Sequence, residues 1–128
     1  MLEVEIVAPP LMAGVLERVE IERLCALAAA TAGVEEGHVA VEFVDAGRIA
    51  ALNLEYRGKA GPTDVLSFPV DEDGRAHGPR ELGDVVICAE HTVDLREAVV
   101  HGVLHLVGMD HERDDGEMLA VQRELLSW

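Results

Sequence analysis

Ala98-Val-Val-His101-Gly-Val-Leu-His105-Leu-Val-Gly108-Met-Asp110-His111 is the stretch on which the fold and chemistry of this chain turn. Ala98, Val99, Val100, Val103, Leu104, Leu106 and Val107 make it apolar nearly all round, the pattern of a helix buried inside a fold. Within the helical part the only ionisable side chains are His101 and His105, and polar groups in such a setting are costly unless they find partners. Residues four apart lie one turn apart on one helical face. Both imidazoles can therefore reach a single ion, at Zn–N distances of about 2.0–2.1 Å. His111 comes six residues after His105, where a continuous helix would have turned by about 600° and faced away. The helix must stop first, and Gly108 stands where a left-handed cap would end it. The chain can then turn back and present His111 to the same ion.

Three neutral imidazoles leave a divalent ion its full charge and one open position, which is the arrangement of catalytic zinc sites. A water there would have its pKa lowered towards ~7. The expected cofactor is Zn2+, one per chain; nickel, copper and iron also suit imidazole ligands. Asp110 and Glu112 flank His111 and are candidates to orient a ligand imidazole, with solvated turn carboxylates as the plainer alternative. For His101 and His105 the plainer alternative is a satisfied core pair. His38, His77 and His91 lack the spacing and are expected at the solvated surface.

Working outward, Asp94 with Glu97 three residues on is an Asp form of the capping box, opening a helix that runs through Val107. A last helix is expected from about Asp115 to Leu126, with Met118, Val121 and Leu125 inward. Upstream, Val65 to Val70 and Leu82 to Ala89 read as strands, joined by an Asp71-to-Glu81 connection with Asp73-Gly74 and Gly78-Pro79 turn signals. Asp45 caps a helix through about Tyr56, with Ile49, Leu52 and Tyr56 on one side. His38 to Val44 alternates as a strand. Leu16 to about Thr31 is helical, with Val19, Leu24, Leu27 and Ala28 available to one face and Gly33 as its stop. Glu3 to Val7 is a first strand, ended by Pro9-Pro10. The order β-α-β-α-β-β-α-α predicts an α+β fold: a single small domain over residues 1–128, one mostly four-stranded mixed sheet packed with helices, with the metal site on the buried helix and the turn after it.

The 128 residues suit one domain, and 49% hydrophobic content supports a core without staples. Cys25 and Cys88 form no CxxC pair; two distant thiols suggest a reducing compartment and two small buried hydrophobes. The N-terminus lacks the basic region and apolar run of a signal peptide, and no apolar stretch approaches the ~20 residues that span a bilayer. A soluble, cytoplasmic protein is expected, without membrane or DNA partners. A formal net charge of −15 is a poor footprint for general nucleic-acid binding, so any anionic substrate must be captured locally. The loop Gly58-Lys-Ala-Gly-Pro-Thr-Asp64 is not a phosphate-binding loop, because Lys59 precedes its second glycine.

The histidine spacing equals the HExxHxxGxxH of metzincin peptidases. Gly102, however, stands where their general-base glutamate would be, so peptide hydrolysis by that route lacks its base. The whole block, His101-Gly-Val-Leu-His-Leu-Val-Gly-Met-Asp-His111, resembles the signature of the YbeY family of bacterial rRNA-maturation endoribonucleases. Three further blocks agree in order: Leu52-Asn-Leu-Glu-Tyr-Arg57-Gly-Lys with the family's LNxxYRxK, Pro62-Thr-Asp-Val-Leu-Ser-Phe-Pro69 with PTDVLSFP, and Leu82-Gly-Asp-Val-Val-Ile87 with LGDIVI.

The resemblance implies a metal-dependent endoribonuclease specific for single-stranded RNA, acting in ribosomal RNA maturation and ribosome quality control, with zinc on the three histidines. It also implies that Arg57 matches the family's functionally important arginine. A planar, permanently charged fork suits that role, since it can hold a phosphodiester and stabilise developing charge. Arg57 and the ligand His105 are thus the candidate catalytic residues; no residue is assigned as general base. Asp64 and Ser67 lie in a matching block but read equally as ordinary strand residues. Ribosomal RNA, the ribosome or basic ribosomal proteins are the implied partners. Between Ile87 and His101 the chain is shorter than in most relatives, so Ala89 to Asp94 must connect strand to helix almost directly. The alternatives are a zinc peptidase-like hydrolase and a non-catalytic, zinc-stabilised ribosome-assembly module.

Overall fold

The computed structural model describes residues 2–7, 17–70, 80–109 and 116–127. Its elements follow the expected order: β1 (Leu2–Val7), α1 (Arg18–Ala30), β2 (Gly37–Val44), α2 (Ala46–Arg57), β3 (Val65–Pro69), β4 (Arg80–Cys88), α3 (Leu95–Leu106) and α4 (Glu117–Leu126), with a 3-10 turn at Ala89–His91. The expected Pro9-Pro10 stop, the turn signals between Asp71 and Pro79, His77 and the Asp115 start of α4 lie outside the described residues. β4 begins at Arg80, two residues earlier than its apolar pattern suggests, because Arg80 and Glu81 pair with Gly37 and His38.

The sheet has the order β1-β2-β4-β3. β1 and β4 both run parallel to β2, while β3 is antiparallel to β4. Helices cover both faces. α1, α3 and α4 share the larger core with Val39, Val41, Phe43, Val85 and Ile87; α2 closes the other face through Ile49 and Leu52 against Leu66, Val86 and Cys88. β4 is central and covered on both sides, which explains the uninterrupted Val85-Val-Ile-Cys88 run.

One irregularity sets which way β4 faces. His38 pairs with Glu81 and Val39 with Gly83, so Leu82 is bulged out of the ladder with β2. The bulge reverses the alternation, and Leu82 joins Val85 and Ile87 in the larger core. Gly83 has φ 125°, and a Cβ there would collide with the Phe68 carbonyl on β3. Both facts demand glycine.

Two expectations about helix faces need correction. Val19 is 77% exposed; α1 instead buries Ile21, Leu24, Cys25, Ala28 and Ala29, which lie opposite α3 and the sheet. Tyr56 is also exposed: its ring meets Phe68 of β3, the strand at the edge of the sheet, and α2 buries Ile49, Leu52 and Asn53 instead. On α4 Met118, Val121 and Leu125 pack on the larger core as expected, and Gln122 is buried with them. Cys25 and Cys88 are free and buried as expected, in different cores on opposite faces of the sheet. Among the described residues no helix is long and apolar enough to cross a membrane.

Candidate active-site cleft

α3 is held at both ends by its own sequence. Asp94 Oδ1 accepts from the backbone N–H groups of Arg96 (3.0 Å) and Glu97 (3.3 Å), satisfying donors that a helix start leaves unpaired. At the other end Gly108 takes φ 102°, as expected. Its N–H reaches the His105 carbonyl (3.1 Å) and the Met109 N–H reaches the Leu104 carbonyl (3.0 Å). These are the paired bonds of a Schellman motif, and Met109 packs on the larger core beside it.

The middle of α3 lies very close to β4. A Cβ on Gly102 would overlap Val85 Cγ1 and stand 3.0 Å from Cγ2, so only glycine lets the helix sit this low. Ser67 on β3 donates its hydroxyl to the Gly102 carbonyl at 3.0 Å, tying edge strand to helix between the two histidines. Asp64 is equally structural. Its Oδ1 accepts from Val65 N–H (2.8 Å) and from the Thr63 hydroxyl (3.2 Å), while its carbonyl accepts from Cys88 N–H (2.8 Å). The short strand-to-helix connection is braced nearby: the Thr92 hydroxyl donates to the Cys88 carbonyl at 2.6 Å.

His101 and His105 are the half-buried residues of a helix whose other central positions are buried, and both open into a cleft of about 770 Å³. Their ring centroids lie 4.7 Å apart with planes at 72°. Two imidazoles sharing one tetrahedral ion would have centroids roughly 5 Å apart, so the pair fits a single transition metal. Gln122 Oε1 lies 2.8 Å from His101 Nδ1. A carboxamide oxygen only accepts, so this contact is a hydrogen bond when Nδ1 carries the proton. Among the described residues no third His, Cys, Asp or Glu completes a metal-holding group. His111, Asp110 and Glu112 fall in 110–115, outside the described residues.

The end of α2 supplies another part of the lining. Asp45 caps this helix through Arg48 N–H (2.8 Å), and Gly58 closes it with φ 67°. Arg57, its last residue, and Lys59, just past the glycine, both line the cleft. Asn53 steadies the loop that follows: its Nδ2 donates to the Gly61 carbonyl (2.9 Å), and Lys59 N–H donates to the Asn53 carbonyl (3.3 Å). Tyr56 meets Phe68 edge to face at 5.1 Å, and both rings line the cleft. The structure thus brings His101, His105 and Arg57 around one cavity, as expected. His38, expected as a solvated histidine, is partly covered and bonded to Glu81 at 2.9 Å.

Three participants escaped the sequence reading. Lys59 is the only lysine in the chain, a signal available from composition. Gln122 was discoverable as a polar residue four positions after Met118 on the inward stripe of α4. The anchoring role of Ser67 depends on tertiary proximity and has no local signal.

Comparison with known proteins places this arrangement in company. The family model described as Endoribonuclease YbeY matches residues 17–128. An endoribonuclease YbeY of Geobacillus kaustophilus is 42% identical over 134 residues, covering 87% of this chain and 86% of that protein. That of Bacillus subtilis is 38% identical over 129 residues, covering 84% and 82%. Among solved structures, the solution structure of a Thermotoga maritima protein superposes with a TM-score of 0.59 at 26% identity, covering 99% of this chain and 87% of that one.

Proposed function

The chain belongs to the endoribonuclease YbeY family, and on that premise we propose that it is a zinc-dependent hydrolase of single-stranded RNA, acting in ribosomal RNA maturation and ribosome quality control. One observation carries the reading. In a chain of net charge −15, the only lysine and a neighbouring arginine line a single cleft together with two imidazoles. The one described carboxylate lining that cleft, Asp64, is already engaged with Val65 and Thr63. Anion capture is therefore local, against the overall field, as an RNA phosphodiester requires.

The proposed ligands are His101, His105 and His111. Zinc held there supplies a Lewis acid for a phosphoryl oxygen and an acidified water. Arg57 binds the phosphodiester through its planar fork and stabilises the charge that grows on it during attack. Lys59 adds a second, compact charge for the same phosphate or its neighbour. Tyr56 and Phe68 give the mouth of the cleft an aromatic border where an unpaired base can stack. Acidic surface elsewhere opposes general RNA affinity, which favours one RNA site presented with basic ribosomal proteins. The peptidase alternative meets a steric obstacle as well as a missing base: position 102, where its glutamate would stand, is pressed against Val85.

The deciding experiment measures zinc by elemental analysis and cleavage of a single-stranded RNA on the same samples. Arg57→Ala is expected to keep full zinc content and lose about 10²–10³-fold in cleavage. His105→Ala should lose both. Full cleavage by Arg57→Ala at normal zinc content would overturn the phosphate clamp, and cleavage surviving in His105→Ala would expose a contaminating nuclease.

A further inference from the structure

Gln122 is the only residue with a neutral, hydrogen-bonding side chain that α4 buries, at 7% exposure, among the described residues. It occupies a stripe position between Met118 and Leu125, where an amphipathic helix would ordinarily carry an aliphatic residue. Burying a carboxamide is costly unless its hydrogen bonds are made, and its oxygen is directed at His101 Nδ1, 2.8 Å away on α3. The contact joins residues 21 apart in sequence, so it reports the packing of two helices and not a local turn.

We infer that Gln122 is a positioning residue for metal binding: it holds His101 as the Nδ1–H tautomer and fixes its ring so that Nε2 faces the cleft. The inference rests on the zinc reading above and extends it to a helix that lines no part of the cavity. The chemistry follows from the acceptor. With Nδ1–H donated to Oε1, Nε2 is the nitrogen that would coordinate the ion. The partner's neutrality matters too. A carboxylate in the same place would raise the basicity of the imidazole and offset charge on the ion. An amide orients the ring without doing so, leaving the ion the stronger electrophile. Gln122 also ties ligand geometry to the seating of α4, so a shift of that helix would be felt at the metal.

Two readouts independent of catalysis test this. Zinc affinity is measured by chelator competition on the wild type, Gln122→Met and Gln122→Glu. Met matches the volume without the acceptor, and Glu restores an acceptor. Thermal melts confirm that each variant is folded. In parallel, 15N-imidazole NMR of the zinc-free wild type at pH 8 reads the tautomer of His101. Expected are an Nδ1–H signal for His101 in the wild type, a 10–100-fold loss of zinc affinity in Gln122→Met, and recovery to wild-type affinity or better in Gln122→Glu. Equal zinc affinity of Gln122→Met and wild type, or an Nε2–H tautomer in the wild type, would overturn the inference while leaving the zinc reading intact. Should the wild type take up no zinc, the zinc reading falls and this inference with it.

Discussion

Replacing Gly102 by alanine tests the seating of α3 more sharply than any change at the histidines. Ordinarily this substitution in mid-helix is stabilising, by about 0.8–1.0 kcal/mol of helix propensity. Here the new Cβ would overlap Val85 Cγ1, lie 3.0 Å from Cγ2 and lie 3.3 Å from Cβ. Val85 cannot step aside: it is fully buried, branched at Cβ, and sits on a strand covered on both faces. The helix must back away by about 1 Å to reach an ordinary carbon–carbon contact. Overpacking of this kind costs about 1–3 kcal/mol, and backing away stretches the Ser67–Gly102 hydrogen bond, worth ~1 kcal/mol. Set against the propensity gain, a net loss of about 1–3 kcal/mol follows, or roughly 4–12 °C in Tm for a domain of this size. The histidines move with the helix, and a misplacement of about 1 Å can cost ~10²-fold in rate. Urea unfolding of Gly102→Ala, Val85→Ala and the double variant measures the effect. The cycle should show a favourable coupling above about 1 kcal/mol, because the two changes relieve each other. A Gly102→Ala protein that melts at or above the wild type would refute the close-seating argument.

Lys59→Met should weaken RNA binding at low salt and flatten the slope of log K against log salt by ~0.7, the loss of one single-strand phosphate contact; an unchanged slope removes Lys59 from the interface. The Glu81 hydrogen bond holds the pKa of His38 above its ordinary value, burial opposing it and the Glu5 and Glu3 charges adding to it. Stability from this pair is fully present below about pH 6.5 and is lost as pH rises through the raised folded value. His38→Gln should therefore cost more at pH 6 than at pH 9 in urea titrations, by under ~1 kcal/mol because the pair is partly exposed; equal costs would contradict the pairing. Stripping metal with a chelator should lower Tm yet leave the far-UV spectrum at 25 °C unchanged, since both cores form without the site; collapse to an unfolded spectrum would favour a zinc-stabilised structural module.

Sequence alone carried the element order, because capping and stopping signals act within a few residues. Asp94 and Gly108 bracket α3 as read, and Asp45 opens α2 as read. It also carried the close pairing of His101 and His105, which is a matter of helical pitch. What it missed depends on partners distant in the chain. Leu82 looks like part of a regular strand, and only pairing with His38 and Val39 reveals the bulge. Val19 and Ile21 are equally apolar, and the approach of α3 decides which is buried. Tyr56 fits the inward stripe of α2, but it meets the edge strand β3 and stays 60% exposed. The Gln122 partner of His101 stands on another helix, 21 residues away, so no local pattern announces it.

The two cysteines make the two faces of the sheet separately addressable. Cys25 stands on the buried face of α1, its thiol pushed up to about 12 by burial, and Cys88 lies under α2. An alkylating reagent reaches either sulfur only when the layer above it opens. Mass-resolved labelling over time would therefore clock the opening of each layer on its own. Because α2 buries a much smaller cluster than α1, α3 and α4 together, Cys88 should be modified first, and the arginine side of the cleft would be the part that breathes.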